Sequence, residues 1–180
     1  MTRPRNWCAE GGFDAFKLRL GRDKLEDDLL AISQVCAAVG SDAKLMVDFN
    51  QGLTLGDAIR RCHALDDLRL YWFEEPTTYN NLEGYALLAR DLRTPLQLGE
   101  NFYGPRELYR AVTMQAGDYV MPDMMRIGGV SGWLRSVPIA AAAGIEVWSR
   151  RTSIRESRRT SCGSRRRRIG WSGRTGQTRS

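Results

Sequence analysis

Acidic residues are nearly missing from one stretch of this sequence. Residues 150–180 hold a single acid, Glu156, against eleven arginines, a local charge of +10. The overall +6 therefore leaves −4 for residues 1–149, and the basic isoelectric point belongs to the tail alone. That excludes reading the whole chain as a nucleic-acid-binding fold. Large apolar residues are also scarce there, Ile154, Ile169 and Trp171 only, so disorder is expected for 150–180. Cysteine is sparse: Cys8, Cys36, Cys62 and Cys162 show neither paired nor metal-type spacing, which argues against a disulfide framework or zinc site. Cys36 and Cys62 fall on apolar helical positions and are expected as buried thiols of a reducing, cytoplasmic compartment. No run reaches the roughly 18 apolar residues of a membrane span, so no membrane partner is expected. Met1–Pro4 is not followed by the apolar segment of a signal peptide.

What is present is a series of evenly spaced acids. Asp48 lies in Met-Val-Asp-Phe-Asn-Gln, Glu74 in Trp-Phe-Glu-Glu-Pro and Glu100 in Leu-Gly-Glu-Asn, each 26 residues from the last; Asp123, in Met-Pro-Asp, follows 23 later. Each acid closes a short apolar run and precedes a helical pattern. One strand plus one helix per unit is what a parallel β/α barrel produces. Its strand ends converge on one face, where distant carboxylates can share a hard divalent cation. A single acid at a strand end is ordinarily a solvated loop residue; three in register, each in a distinctive motif, favour the metal reading, and Mg²⁺ suits such oxygen donors.

The periodicity predicts strands at Phe13–Leu20, Leu45–Asp48, Leu70–Phe73, Leu96–Leu98, Tyr119–Met121 and from Ile145. Helices are expected from Asp23 to Val39, from a Thr54/Asp57 capping box with Leu55, Ile59, Cys62 and Leu65 inward, from an Asn81 cap to about Arg90, from Pro105, and from a Ser131 cap to near Gly144. The expected fold class is α/β: an incomplete parallel (β/α) TIM-type barrel with about six of its eight strands in residues 1–149, followed by an Arg-rich tail at 150–180. At 180 residues the chain is short for a complete barrel of roughly 250.

Lys17-Leu-Arg19, Asp48-Phe-Asn50, Glu74-Glu75-Pro76, Gly99-Glu100-Asn101, Met121-Pro122-Asp123 and Arg126-Ile-Gly-Gly-Val-Ser-Gly-Trp133 together resemble the mandelate racemase/muconate lactonizing enzyme group of the enolase superfamily, over about residues 9–147. The resemblance implies Asp48, Glu74 and Glu100 as Mg²⁺ ligands and Lys17 as the electrostatic partner of a substrate carboxylate. It implies Asn50 beside metal and substrate, and Asp123 as the orienter of a His base on the next strand. It also implies a small carboxylate substrate, a 2-hydroxy acid or a sugar acid, and a homo-oligomer for the intact family member. An N-terminal capping domain, which selects substrate in this family, is expected to be missing here.

Two departures follow. The family often carries a second Lys base where this chain has Arg19. A guanidinium does not readily give up its proton, so Arg19 is read as a charge clamp and two-base racemisation is put in doubt. The only histidine, His63, lies mid-helix beside Cys62 and is read as a peripheral residue. Where the family has Ser-Ser-His-Leu, this chain has Trp148-Ser-Arg-Arg-Thr-Ser-Ile-Arg155. Read one base out of frame, Arg151/Thr152 permits His, Thr152/Ser153 Leu, Ser153/Ile154 Tyr and Ile154/Arg155 Pro. Codons 168–172 likewise permit His-Trp-Leu-Glu, which resembles the family's last catalytic strand. A frameshift near Val147–Arg150 accounts for this order and for the arginine excess. The chain as written is then expected to be inactive. The rival is a genuine basic tail on a non-catalytic binding protein, which would contact nucleic acid or anionic surfaces; the tail lacks aromatic interleaving apart from Trp171.

Overall fold

The computed structural model describes residues 13–148. The tail at 150–180, with its expected disorder, lies outside them, as do Cys8 and Cys162. Six strands run in chain order: β1 (Ala15–Arg19), β2 (Lys44–Asp48), β3 (Trp72–Glu74), β4 (Leu96–Leu98), β5 (Tyr119–Val120) and β6 (Glu146–Val147). Every neighbouring pair is parallel. Helices fill the crossovers: α1 (Leu25–Val39), α2 (Leu55–Leu65), α3 (Leu82–Asp91), α4 (Pro105–Thr113) and α5 (Gly129–Ala142). The described residues thus form six strands and five helices of a parallel (β/α) barrel, open between β1 and β6.

The period-two alternation of the strands separates two cores. One face of the sheet contributes Val47, Phe73, Leu96, Leu98 and Val120, packed with helix residues such as Cys62, Tyr85, Leu88 and Leu108. The helix-free face carries Met46, Trp72, Met121 and Trp148, with Tyr71 and Tyr119 against them. The Trp72 and Trp148 rings meet edge to face at 5.0 Å, a favourable geometry for aromatic quadrupoles. Lys17, Arg19, Asp48 and Glu74 belong to this second face, two residues along from Ala15, Met46 and Trp72.

The predicted caps hold. Thr54 Oγ1 accepts from Asp57 N at 3.2 Å, and Asn81 Oδ1 accepts from Gly84 N at 3.1 Å. Ser131 is not a cap. Helix α5 already begins at Gly129, because Gly128 and Gly129 (φ 103° and 66°) make the bend that a side-chain cap would otherwise stabilise. A short 3₁₀ turn, Asp66–Leu68, follows α2 and was not expected. Cys62 is buried, but Cys36 is exposed. Helix α1 follows the edge strand β1, and Leu29 and Leu30 on it are also exposed. Among the described residues, no helix is long and apolar enough to cross a membrane.

Candidate functional site

The register places Arg19 opposite Asp48 and Asp48 opposite Glu74, so three consecutive strands present charged groups in one row. Lys17 Nζ lies 2.8 Å from Glu74 Oε1 and 3.4 Å from Asp48 Oδ2. Arg19 Nη2 lies 3.2 Å from the same Asp48 Oδ2. Two carboxylates thus share two cations. Glu74 is 1% exposed, and its Oε2 accepts from Trp72 Nε1 at 3.3 Å. Asp48 Oδ1 accepts from Asn50 N at 2.8 Å. Burial pushes Glu74 above its ordinary 4.5; the Lys17 hydrogen bond opposes this and the Asp48 charge adds to it. Burial pulls Lys17 down, but the hydrogen bond and charge of Glu74, with those of Asp48, outweigh it and raise Lys17 above 10.5. Lys17 therefore stays an ammonium at neutral pH.

A second group of side chains runs behind this row. Glu75, also 1% exposed, accepts from Gln51 Nε2 at 3.0 Å through Oε2 and from Asn101 Nδ2 at 3.3 and 3.2 Å through both oxygens. Asn101 Oδ1 accepts from Arg126 Nη1, and the guanidinium stands 5.9 Å from the Tyr103 ring centroid. Gln51 Oε1 accepts from Tyr79 N at 2.9 Å. Asn50, Gln51 and Glu75 all have positive φ (46°, 62° and 40°), which costs free energy in residues other than glycine and clusters at functional sites. Burial, with the nearby charge of Glu100, pushes Glu75 up to about 7, against the two amide donors.

Of the residues singled out from the sequence, Lys17, Arg19, Asp48 and Glu74 are brought together. Asn50 joins them through its backbone, its side chain exposed. Glu100 follows β4, half-buried, and its charge reaches Glu75. Among the described residues no three Asp, Glu, His or Cys side chains stand close enough as placed to hold an ion. Asp123 spends Oδ1 on its own loop, accepting from Met125 N at 2.8 Å and Arg126 N at 3.3 Å. His63 is exposed on α2. Sequence reasoning gave no role to Glu75, Gln51, Asn101 or Arg126. The available signal was that each falls within three positions after one of the four spaced acids.

Residues 3–155 match the family Enolase C-terminal domain-like. The chain belongs to that family. Within the enolase superfamily its relatives place it in the mandelate racemase/muconate lactonizing enzyme group. A solved enolase from the alphaproteobacterium BAL199, with bound magnesium, is 53% identical, with a TM-score of 0.74 over 76% of this chain and 38% of its own. An enolase from Bradyrhizobium, complexed with magnesium and mandelic acid, is 41% identical, with a TM-score of 0.77 over 81% of this chain and 40% of its own. The L-talarate/galactarate dehydratase of Salmonella typhimurium is 36% identical over 75% of this chain and 34% of its own length. The enolase-family chain described here thus spans little more than a third of each of these relatives.

Proposed function

We propose that Asp48, Glu74 and Glu100 form the Mg²⁺ site of an acid/base enzyme that removes the proton α to a carboxylate, and that Lys17 and Arg19 hold the substrate's carboxylate. The observation that carries this is the Asp48–Glu74 pair, in register on adjacent strands and bridged by Lys17 Nζ. The donor set is all carboxylate oxygen, which fits Mg²⁺ and disfavours zinc or copper. When bound, Mg²⁺ supplies Lewis-acid polarisation of the substrate carboxylate. Lys17, kept charged by Glu74, is suited to pair with one carboxylate oxygen. Arg19, more than half exposed at the mouth, clamps the anion with a planar fork that never loses its charge. Trp72 fixes the far oxygen of Glu74 and leaves Oε1 directed at the Lys17 ammonium.

The substrate class we infer is a 2-hydroxy acid or a sugar acid, with dehydration as plausible as racemisation, in keeping with the dehydratase and the mandelate-bound relative. The general base is the missing part. Arg19 is a poor acceptor, Lys17 is protonated, and Asp123 has no strand-borne histidine to orient. General base catalysis is worth about 10²–10⁴-fold, so the chain as written should turn over near background. We attribute this to a frameshift near codons 147–150. The test incubates the 180-residue chain with Mg²⁺, mandelate and galactarate in deuterated solvent and follows α-proton exchange. A second chain, expressed from a gene restored by one nucleotide near codon 150, is run beside it. Exchange is expected only in the restored chain and is expected to vanish with Glu74→Gln. Enzymatic exchange by the chain as written, abolished by Glu74→Gln, would show the fragment reading to be wrong.

A further inference from the structure

The Glu75 group has a topology that the metal reading alone does not require. Gln51 lies three residues after Asp48, Glu75 one after Glu74, Asn101 one after Glu100 and Arg126 three after Asp123. Each belongs to the loop that leaves a different strand, from β2 to β5. Hydrogen bonds join them in that order: Gln51 to Glu75, Glu75 to Asn101, Asn101 to Arg126. A backbone bond, Gln51 N to Glu75 O at 2.7 Å, doubles the first link. One side chain from each of these four loops therefore enters a single chain of contacts, and the buried Glu75 carboxylate is its centre.

We propose that Glu75 is a positioning residue: through Gln51 and Asn101 it ties the loops that follow Asp48 and Glu74 to the loop that carries Glu100, and so sets the divalent-cation affinity of the site. The physical argument has three steps. A buried carboxylate must be satisfied by donors, and here its donors come from both neighbouring loops. Backbone held at positive φ on Gln51 and Glu75 persists only where surrounding contacts fix it, and these two residues are joined by a backbone and a side-chain hydrogen bond. A ligand set spread over three strands loses affinity when its loops relax independently, because binding must then order them. The inference rests on Asp48, Glu74 and Glu100 being the ligands.

The experiment measures Mn²⁺ affinity of the full chain by the electron paramagnetic resonance signal of free Mn²⁺, alongside the metal-free thermal midpoint. Glu75→Leu leaves both amides unanswered and is expected to weaken Mn²⁺ binding about 10–100-fold, the usual range for partners behind metal ligands. Glu75→Gln keeps one acceptor and is expected to lose less. Gln51→Met removes one donor without burying new charge, and is expected to weaken binding several-fold even if the Glu75 variants fail to fold. Asp66→Ala removes the side-chain acceptor of the Arg93 and Thr94 amides, ahead of β3 and β4 and so at the opposite ends of the strands from Glu75. It is expected to lower the midpoint and leave Mn²⁺ affinity unchanged. Affinity within twofold of the parent in folded Glu75→Leu, or in Gln51→Met, overturns the proposal while leaving the metal site intact. A parent chain that binds no Mn²⁺ overturns both.

Discussion

Lys17 and Glu74 stand 57 positions apart in sequence, yet the ammonium lies 2.8 Å from the carboxylate, and Glu74 is 1% exposed. Lys17 reaches Glu74 across β2, and on the way it meets Asp48. Removing the ammonium leaves two buried carboxylates on neighbouring strands. In the metal-free chain Lys17→Met is expected to cost about 2 kcal/mol. That lies between the ~1 kcal/mol of exposed pairs and the 3–5 kcal/mol of broken buried ones, because Lys17 is partly solvated. The double variant Lys17→Met/Glu74→Gln is expected to be more stable than Lys17→Met alone. Urea unfolding of the four chains checks this, and strict additivity of the two substitutions would contradict it.

The pH dependence of stability has a definite sign. Glu75 is raised from 4.5 to about 7 in the fold, and Glu74 is raised too, in both cases chiefly by burial. The folded chain therefore binds more protons than the unfolded chain between these values, and stability falls as pH rises through that window. The metal-free chain should lose stability from about pH 5 to pH 7, and Glu75→Gln should flatten the decline. Unfolding midpoints in urea at several pH values provide the check. A parent whose stability rises across the window would contradict it.

The two described thiols differ in reactivity for a structural reason. Burial pushes Cys62 up to about 12, whereas Cys36 is exposed on α1. The thiolate is the reactive species, so brief alkylation of the native chain at pH 8 should modify Cys36 and spare Cys62 until urea is added. Peptide mass spectrometry reads the result, and equal modification of both would contradict the packing of α2.

Much of this fold is legible because its period is regular. The run Leu96–Leu98 is found as a strand at both predicted ends, and Thr54, Asn81 and Pro105 start helices where local chemistry requires them. The failures share a cause. Cys36 has the spacing of a core position, but whether a helix face is covered depends on which neighbours the sheet supplies. Ser131 has the chemistry of a cap, but the tandem positive-φ glycines bend the chain two residues earlier. The spaced acids lead to the Asp48–Glu74 pair that the structure brings together with Lys17; the Glu75 contacts do not show in sequence, because hydrogen bonds between loops depend on register and backbone strain rather than composition. Gln97 illustrates the same limit. It sits mid-strand between two leucines, yet it is fully buried in register with Glu74, its amide atoms without partners among the described residues.

The central claim is that Asp48, Glu74 and Glu100 share one divalent cation, and calorimetric titration with Mn²⁺ tests it most directly. The 180-residue chain is titrated beside Asp48→Asn, Glu74→Gln and Glu100→Gln, each first shown to be folded by circular dichroism. The account expects a single ion per chain, bound by carboxylate oxygen, with each substitution weakening affinity by more than the about tenfold minimum usual for an outer partner. Mn²⁺ affinity that survives unchanged in folded Glu74→Gln, or a parent chain that takes up no ion, would contradict it.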